Sequence, residues 1–184
     1  MVVNKFVAMG LYGLFLHIVL VVPFFLFVYR FFIRPLINPT PVLKYRRKGC
    51  YAIVTGASEG TGRAYATQLA QHGFNLIIIA RRKDLLEQIK AELTEAYGVD
   101  VIVLPHDFSA PSEEFEATIS GLMAAHDVSV LVNNVGRSSH AAFEELSGDD
   151  LAHIVNVNIG AALTMTRLFV QHSDAARPYL VLVM

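Results

Sequence analysis

Between Tyr51 and Gly62 the chain reads Tyr-Ala-Ile-Val-Thr-Gly-Ala-Ser-Glu-Gly-Thr-Gly, and few folds accommodate such a run. Its first five residues mix aromatic, small and β-branched types, as a short buried strand does. Glycines at 56, 60 and 62 then precede a helical pattern that starts near Thr61. The run predicts a strand, a tight turn and a helix start. Glycine lets a ligand come close to the main chain because it has no Cβ and tolerates positive φ. The helix start adds unpaired N–H groups and the positive end of a dipole. This combination suits the diphosphate of a nucleotide cofactor. The spacing is not Gly-x-Gly-x-x-Gly, and Gly62-Arg63-Ala64 stands where a mononucleotide loop requires Gly-Lys-Ser/Thr.

The rest of the chain alternates strands and helices. Tyr65, Ala66, Leu69 and Ala70 mark the inner face of a helix that stops at Gly73, and Asn75 to Ala80 is an apolar strand of the kind buried on both faces of a parallel sheet. Arg81, Arg82 and Lys83 follow at its carboxyl end. At that position a dinucleotide fold selects its cofactor, because an acid holds the ribose 2′-hydroxyl and an arginine accommodates a 2′-phosphate. Asp84 comes too late to be that acid. Leu85, Leu86, Ile89, Leu93 and Tyr97 recur at helical spacing up to Gly98, and Val101 to Leu104 is a third strand ending in Pro-His-Asp-Phe. Ser109 and Pro111 read as the cap and first turn of a helix with Phe115, Ile119, Leu122 and Met123 inside. Val128 to Val132 is a fourth strand, leading into Asn133-Asn134-Val135-Gly136. Ser147 caps the next helix, with Asp149 and Asp150 in its first turn. This helix carries Leu151, Ile154, Val155, Ile159, Leu163 and Leu168. It also contains Asn156 and Asn158, one of which should face a polar site, since a buried amide needs a partner. Tyr179 to Met184 reads as a fifth strand. The pattern specifies an α/β, doubly wound parallel sheet of Rossmann type, incomplete at the C-terminus.

Ahead of this domain, Phe6 to Tyr29 is an apolar run long enough to cross a hydrocarbon core with some tilt, and it accounts for much of the mean hydropathy of +0.46. Its apolar stretch exceeds that of a cleavable leader, so it reads as an uncleaved anchor. Pro23 should bend it or give a re-entrant shape. His17 reads as a tolerated polar group facing a partner or the lipid interface. Arg30, Arg34, Lys44, Arg46, Arg47 and Lys48 lie beyond the run against Lys5 before it, which places the following domain on the cytosolic side. Residues 1–34 therefore form the anchor, residues 35–48 a proline-rich basic linker, and residues 49–184 the partial nucleotide-binding domain. A net charge of −1 argues against nucleic acid, and the single cysteine, Cys50, excludes an intrachain disulfide or cysteine-rich zinc site. Cys50 reads as a packing residue.

With Thr55 to Gly62, Asn133-Asn-Val-Gly136 and Asn156-Val-Asn158 in that order on the expected elements, the chain resembles the short-chain dehydrogenase/reductase family. Within it, the Asn-Asn-Val-Gly variant, the opening Tyr51 and the anchor look like the branch of very-long-chain 3-oxoacyl-CoA reductases and 17β-hydroxysteroid dehydrogenases. The resemblance implies that Gly56, Ser58, Gly60 and Gly62 line the cofactor phosphates and that Arg81 meets the 2′-phosphate of NADPH. It puts Asp107 at the adenine and Asn134 and Gly136 beside the adenosine ribose. Asn133 would tie strands together, and Asn158 would be the catalytic asparagine that helps hold a water in the proton relay. Glu59 departs from the basic residue that many NADPH-using relatives carry there. The implied partners are NADP(H), a long-chain acyl-CoA or steroid ketone, membrane lipid and fatty-acid elongation enzymes, at the endoplasmic reticulum membrane. The family's later serine and Tyr-x-x-x-Lys do not occur by Met184, and Tyr179 is followed four residues on by Val183. The chain is therefore expected to be an inactive, truncated reductase or, alternatively, a non-catalytic membrane-tethered nucleotide-binding or regulatory module.

Overall fold

The computed structural model describes residues 10, 12–34, 41–139 and 141–184. The chain divides into two compact units, one ending at Leu43 and the other running from Lys44 to Met184.

In the first unit, Tyr12–Ile33 is one apolar helix, α1, of 22 residues. At ~1.5 Å per residue it is about 33 Å long, which is enough to cross a membrane by length and composition. The remainder of the predicted apolar run, residues 6–9 and 11, and linker residues 35–40 lie outside the described residues. Pro23 does not turn the chain into a hairpin. It follows a π turn, His17–Val21, in which the Val22 N–H reaches back to the His17 carbonyl. A widened turn gives the proline ring room and leaves its missing N–H with less to disrupt.

The second unit is built on five parallel strands: β1 (Tyr51–Thr55), β2 (Asn75–Ala80), β3 (Val101–Pro105), β4 (Val128–Asn133) and β5 (Leu180–Val183). Their order is β3-β2-β1-β4-β5. Each sequence-read strand lies within a residue or two of its expected place. The helices are α2 (Gly60–Gln71), α3 (Lys83–Tyr97), α4 (Glu113–Ala125) and a long α5 made of Gly148–Val155, a π turn Asn156–Gly160, and Ala161–His172. α2 and α3 pack together against β1, β2 and β3, whereas α4 and α5 pack against each other. Side chains alternate along the strands, so Tyr51, Ile53, Ile77, Ile79 and Leu131 join Phe115, Ile119, Met165 and Phe169 in one core layer. Ala52, Val54, Leu76 and Ile78, equally buried, face the other way.

Three local expectations are corrected. The cap of α4 is Ser112, whose Oγ accepts the Phe115 N–H at 3.2 Å; Ser109 instead donates its N–H to Asp107 Oδ1 at 3.0 Å. On α5, Val155, Ile159 and Leu163 are exposed, and the buried face is Val157, Ala161, Met165, Leu168 and Phe169. The π turn, closed by the Ala161 N–H onto the Asn156 carbonyl, adds a residue to the turn and resets which face points inward. Tyr97, at the last turn of α3, is also exposed, while Gly98 ends the helix in the left-handed region at φ +66°. Ser147 caps α5 as expected, in a reciprocal box with Asp150.

Candidate functional site

Where the strand order reverses, between β1 and β4, the loops at their carboxyl ends diverge and leave a crevice, the general ligand position of open α/β sheets. A cleft of about 720 Å³ opens there, lined among others by Gly56, Ser58, Glu59, Arg81, Arg82, His106, Asp107, Asn134, Gly136 and Arg137. Six of the nine sequence-predicted site residues, Gly56, Ser58, Arg81, Asp107, Asn134 and Gly136, thus come together in one cavity; Gly60, Gly62 and Asn158 do not line it.

The three glycines of the loop serve different ends. Gly56 has φ +64°, and a Cβ there would lie 2.9 Å from Asn134 Nδ2 and 3.0 Å from Val135 Cα. Gly60 has φ +56° and open space around it, so only its backbone conformation calls for glycine. Gly62 has no such backbone demand, but a Cβ would collide with the Gly56 carbonyl and the Asn134 amide. It seats the first turn of α2 against the loop.

Thr55, at the buried end of β1, was missed as a site residue and organises the floor. Its Oγ1 accepts the N–H groups of both Asn134 and Val135 at 3.0 Å. Asn134 donates a second time, its Nδ2 reaching the Thr55 and Gly56 carbonyls at 3.1 and 3.2 Å. A threonine immediately before the first glycine is the sequence signal that could have flagged it. Asn133 is buried and reaches α5 rather than a neighbouring strand, its Nδ2 donating to Thr166 Oγ1 at 3.0 Å.

Asn158 is exposed on the π turn, and its amide is engaged on both sides by the loop after β4: Oδ1 accepts the Arg137 N–H at 2.7 Å and Nδ2 donates to the Arg137 carbonyl at 2.8 Å. It thereby fixes the loop that carries Gly136 and Arg137 into the cleft. Asn156 donates to the Ser109 carbonyl at 2.9 Å, so both helix amides have partners.

On the β2 and β3 side, His106 stacks on Phe115 with ring centroids 3.7 Å apart and meets Phe108 edge-on. Burial lowers its pKa, with Asp107 opposing the shift, so the imidazole is neutral at neutral pH and offers a flat wall. Arg81 makes no ion pair among the described residues, whereas Arg82 pairs with Glu59 at 2.7 Å. Among the described residues no cluster of three or more His, Cys, Asp or Glu side chains is placed to hold a metal.

Fold and cleft together define a dinucleotide-binding α/β domain, and the comparisons with known proteins narrow this. The family model for short chain dehydrogenase matches residues 51–181, so the chain belongs to the short-chain dehydrogenase family. It is 38% identical over 131 residues to a very-long-chain 3-oxoacyl-CoA reductase of Kluyveromyces lactis, covering 70% of this chain and 38% of that one. It is 38% identical over 125 residues to the hydroxysteroid dehydrogenase-like protein 1 of Gallus gallus, covering 67% of this chain and 38% of that one. Among solved structures, a metagenomic short-chain oxidoreductase in complex with NADP is 30% identical with a TM-score of 0.66, covering 72% of this chain and 60% of that chain. The chain thus spans less than half the length of these two curated relatives.

Proposed function

We propose that residues 49–184 bind NADPH in the cleft at the β1–β4 switch point, as the cofactor half of a membrane-anchored ketone reductase of lipid metabolism. The carrying observation is the convergence of Gly56, Ser58, Arg81, Asp107, Asn134 and Gly136 on one cavity at the carboxyl ends of the strands. Gly56 and Ser58 line the cleft beside the diphosphate, and Gly60 and Gly62, which do not line it, shape the start of α2, whose dipole favours the anion. Arg81, with no carboxylate paired to it among the described residues, meets the 2′-phosphate. Asp107 faces the adenine edge, the neutral His106 packs alongside it, and Asn134 and Gly136 pass the adenosine ribose. When bound, NADPH supplies hydride to a carbonyl carbon. Asn158 holds the loop that carries Gly136 and Arg137 to the cleft, and with a bound water it would contribute to a proton relay.

The relatives' names support a 3-oxoacyl-CoA or a steroid ketone as substrate. α1 supports a membrane anchor with the excess of basic residues after it facing the cytosol; the endoplasmic reticulum membrane and fatty-acid elongation enzymes as neighbours rest on the likeness to very-long-chain 3-oxoacyl-CoA reductases. Residues 1–184 contain no Tyr-x-x-x-Lys after Asn158. Carbonyl reduction also needs an acid at the carbonyl oxygen, so turnover requires a proton donor besides the cofactor. A second reading is a membrane-tethered nucleotide-binding or regulatory module without chemistry.

The test is fluorescence titration of the detergent-solubilised chain with NADPH and NADH. Tighter binding of NADPH, lost in Arg81→Ala, is expected; equal affinity unchanged by that substitution would remove the cofactor assignment. Turnover of a 3-oxoacyl-CoA by a protein extended through the Tyr-x-x-x-Lys segment, if its transcript encodes one, separates the reductase from the binding module.

A further inference from the structure

On the reading above, the 2′-phosphate comes to a cleft rim that carries an acid, Glu59. Glu59 is the N-cap residue of α2 and lines the cleft, yet its carboxylate does not cap its own helix. It reaches across to Arg82, itself the N-cap residue of α3, at 2.7 Å. The two helix starts flanking the ends of β1 and β2 are therefore bridged by one ion pair at the rim of the cleft, beside Arg81. Both side chains are largely exposed, 76% and 51%, and such a pair contributes little to stability. Its effect lies in the local field. An unpaired carboxylate at this rim would repel the 2′-phosphate dianion far more than the 2′-hydroxyl of NADH.

We infer that Arg82 is a positioning residue for cofactor choice: by holding and neutralising the Glu59 carboxylate it keeps the 2′-phosphate pocket electropositive, leaving Arg81 to make the phosphate contact. This rests on the NADPH reading above. It explains how an acid at position 59 coexists with a basic cofactor site, and it assigns the two adjacent arginines different tasks.

The experiment is a double-mutant cycle on the full chain in detergent, reading NADPH and NADH dissociation constants for wild type, Arg82→Gln, Glu59→Gln and the double variant. Arg82→Gln is expected to weaken NADPH binding about tenfold at low ionic strength with little change for NADH. Glu59→Gln should bind NADPH at least as well as wild type, the double variant should recover wild-type preference, and Arg82→Lys should retain it. If the double variant stays as weak as Arg82→Gln, Arg82 touches the phosphate itself and the inference is overturned. An unchanged preference in Arg82→Gln, or equal losses for both cofactors, overturns it as well. A wild-type chain that binds neither dinucleotide would instead remove the cofactor reading on which the inference stands.

Discussion

Asn134 is bound twice to Thr55 across the ends of β1 and β4: the Asn134 N–H donates to Thr55 Oγ1 at 3.0 Å and Asn134 Nδ2 donates to the Thr55 carbonyl at 3.1 Å. The glycine loop and the Asn-Asn-Val-Gly loop are thus one piece. Thr55→Val keeps the volume but leaves the Asn134 and Val135 N–H groups without an acceptor, and should cost about 2–3 kcal/mol. Urea unfolding measures this, and Thr55→Ser should recover most of it. A valine variant as stable as wild type would show that water replaces the hydroxyl at no penalty.

The second and third glycines of the loop should respond differently to alanine. Gly62→Ala drives a methyl into the Gly56 carbonyl and should cost about 2–3 kcal/mol, because backbone there has to move. Gly60→Ala meets no atoms and incurs only the left-handed backbone penalty, about 1 kcal/mol. Thermal unfolding of both variants checks the order; the reverse ranking would contradict the assignment of conformational need to Gly60 and packing need to Gly62.

Arg47 grips both carboxylate oxygens of Asp127 at 2.7 Å and also donates to the Pro178 carbonyl, tying the entry of β1 to the starts of β4 and β5. The guanidinium hydrogen bonds hold the Asp127 carboxyl below its ordinary 3.8 against a smaller opposing effect of burial. A carboxylate with a depressed folded pKa stabilises above its unfolded value, and that stabilisation disappears as pH falls below about 3.8. With side chains 26% and 36% exposed, the pair should contribute about 1 kcal/mol. Asp127→Asn should flatten the acid limb of stability against pH, and a wild-type acid limb retained in the variant would discount the pair.

Alkaline behaviour should be set partly by Tyr51. Burial, and then its 2.5 Å hydrogen bond to Asp100, push the phenol from 10.0 up to about 12. A raised folded pKa means the stabilisation is complete below about 10 and is lost as pH climbs towards about 12. Tyr51→Phe should remove that loss and lower stability near neutrality by about 1 kcal/mol. Tyrosinate absorbance during alkaline titration, compared between the two proteins, provides the check.

The strands were legible because each is an apolar stretch between turn formers, and Leu76 to Ile79 is buried throughout. Gly56 and Arg81 were legible because glycine and arginine at strand ends carry chemistry that the strand itself does not require, whereas Ser58, Asp107, Asn134 and Gly136 were reached through the resemblance to the short-chain dehydrogenase/reductase family. What escaped depends on long-range geometry. Ser109 and Ser112 are equally good caps in the sequence; the Asp107 carboxylate, by accepting the Ser109 N–H, leaves Ser112 to start α4. The Glu59–Arg82 pair joins two helix starts that are neighbours only once β1 and β2 lie side by side. The exposure of Val155, Ile159 and Leu163 depends on which side of α5 meets α4 and the sheet, which apolar periodicity does not reveal.

The widened turn Asn156–Gly160 gives α5 a surplus residue, and everything beyond Gly160 is phased by roughly 100° from where an unbroken spiral would carry it. Two demands meet in the offset: the Asn158 amide aims at Arg137, and Met165, Leu168 and Phe169 aim at the sheet. Shortening the segment by one codon would satisfy one demand only by abandoning the other. The helix can therefore be repacked side chain by side chain, but its length between Asn156 and Ala161 is locked.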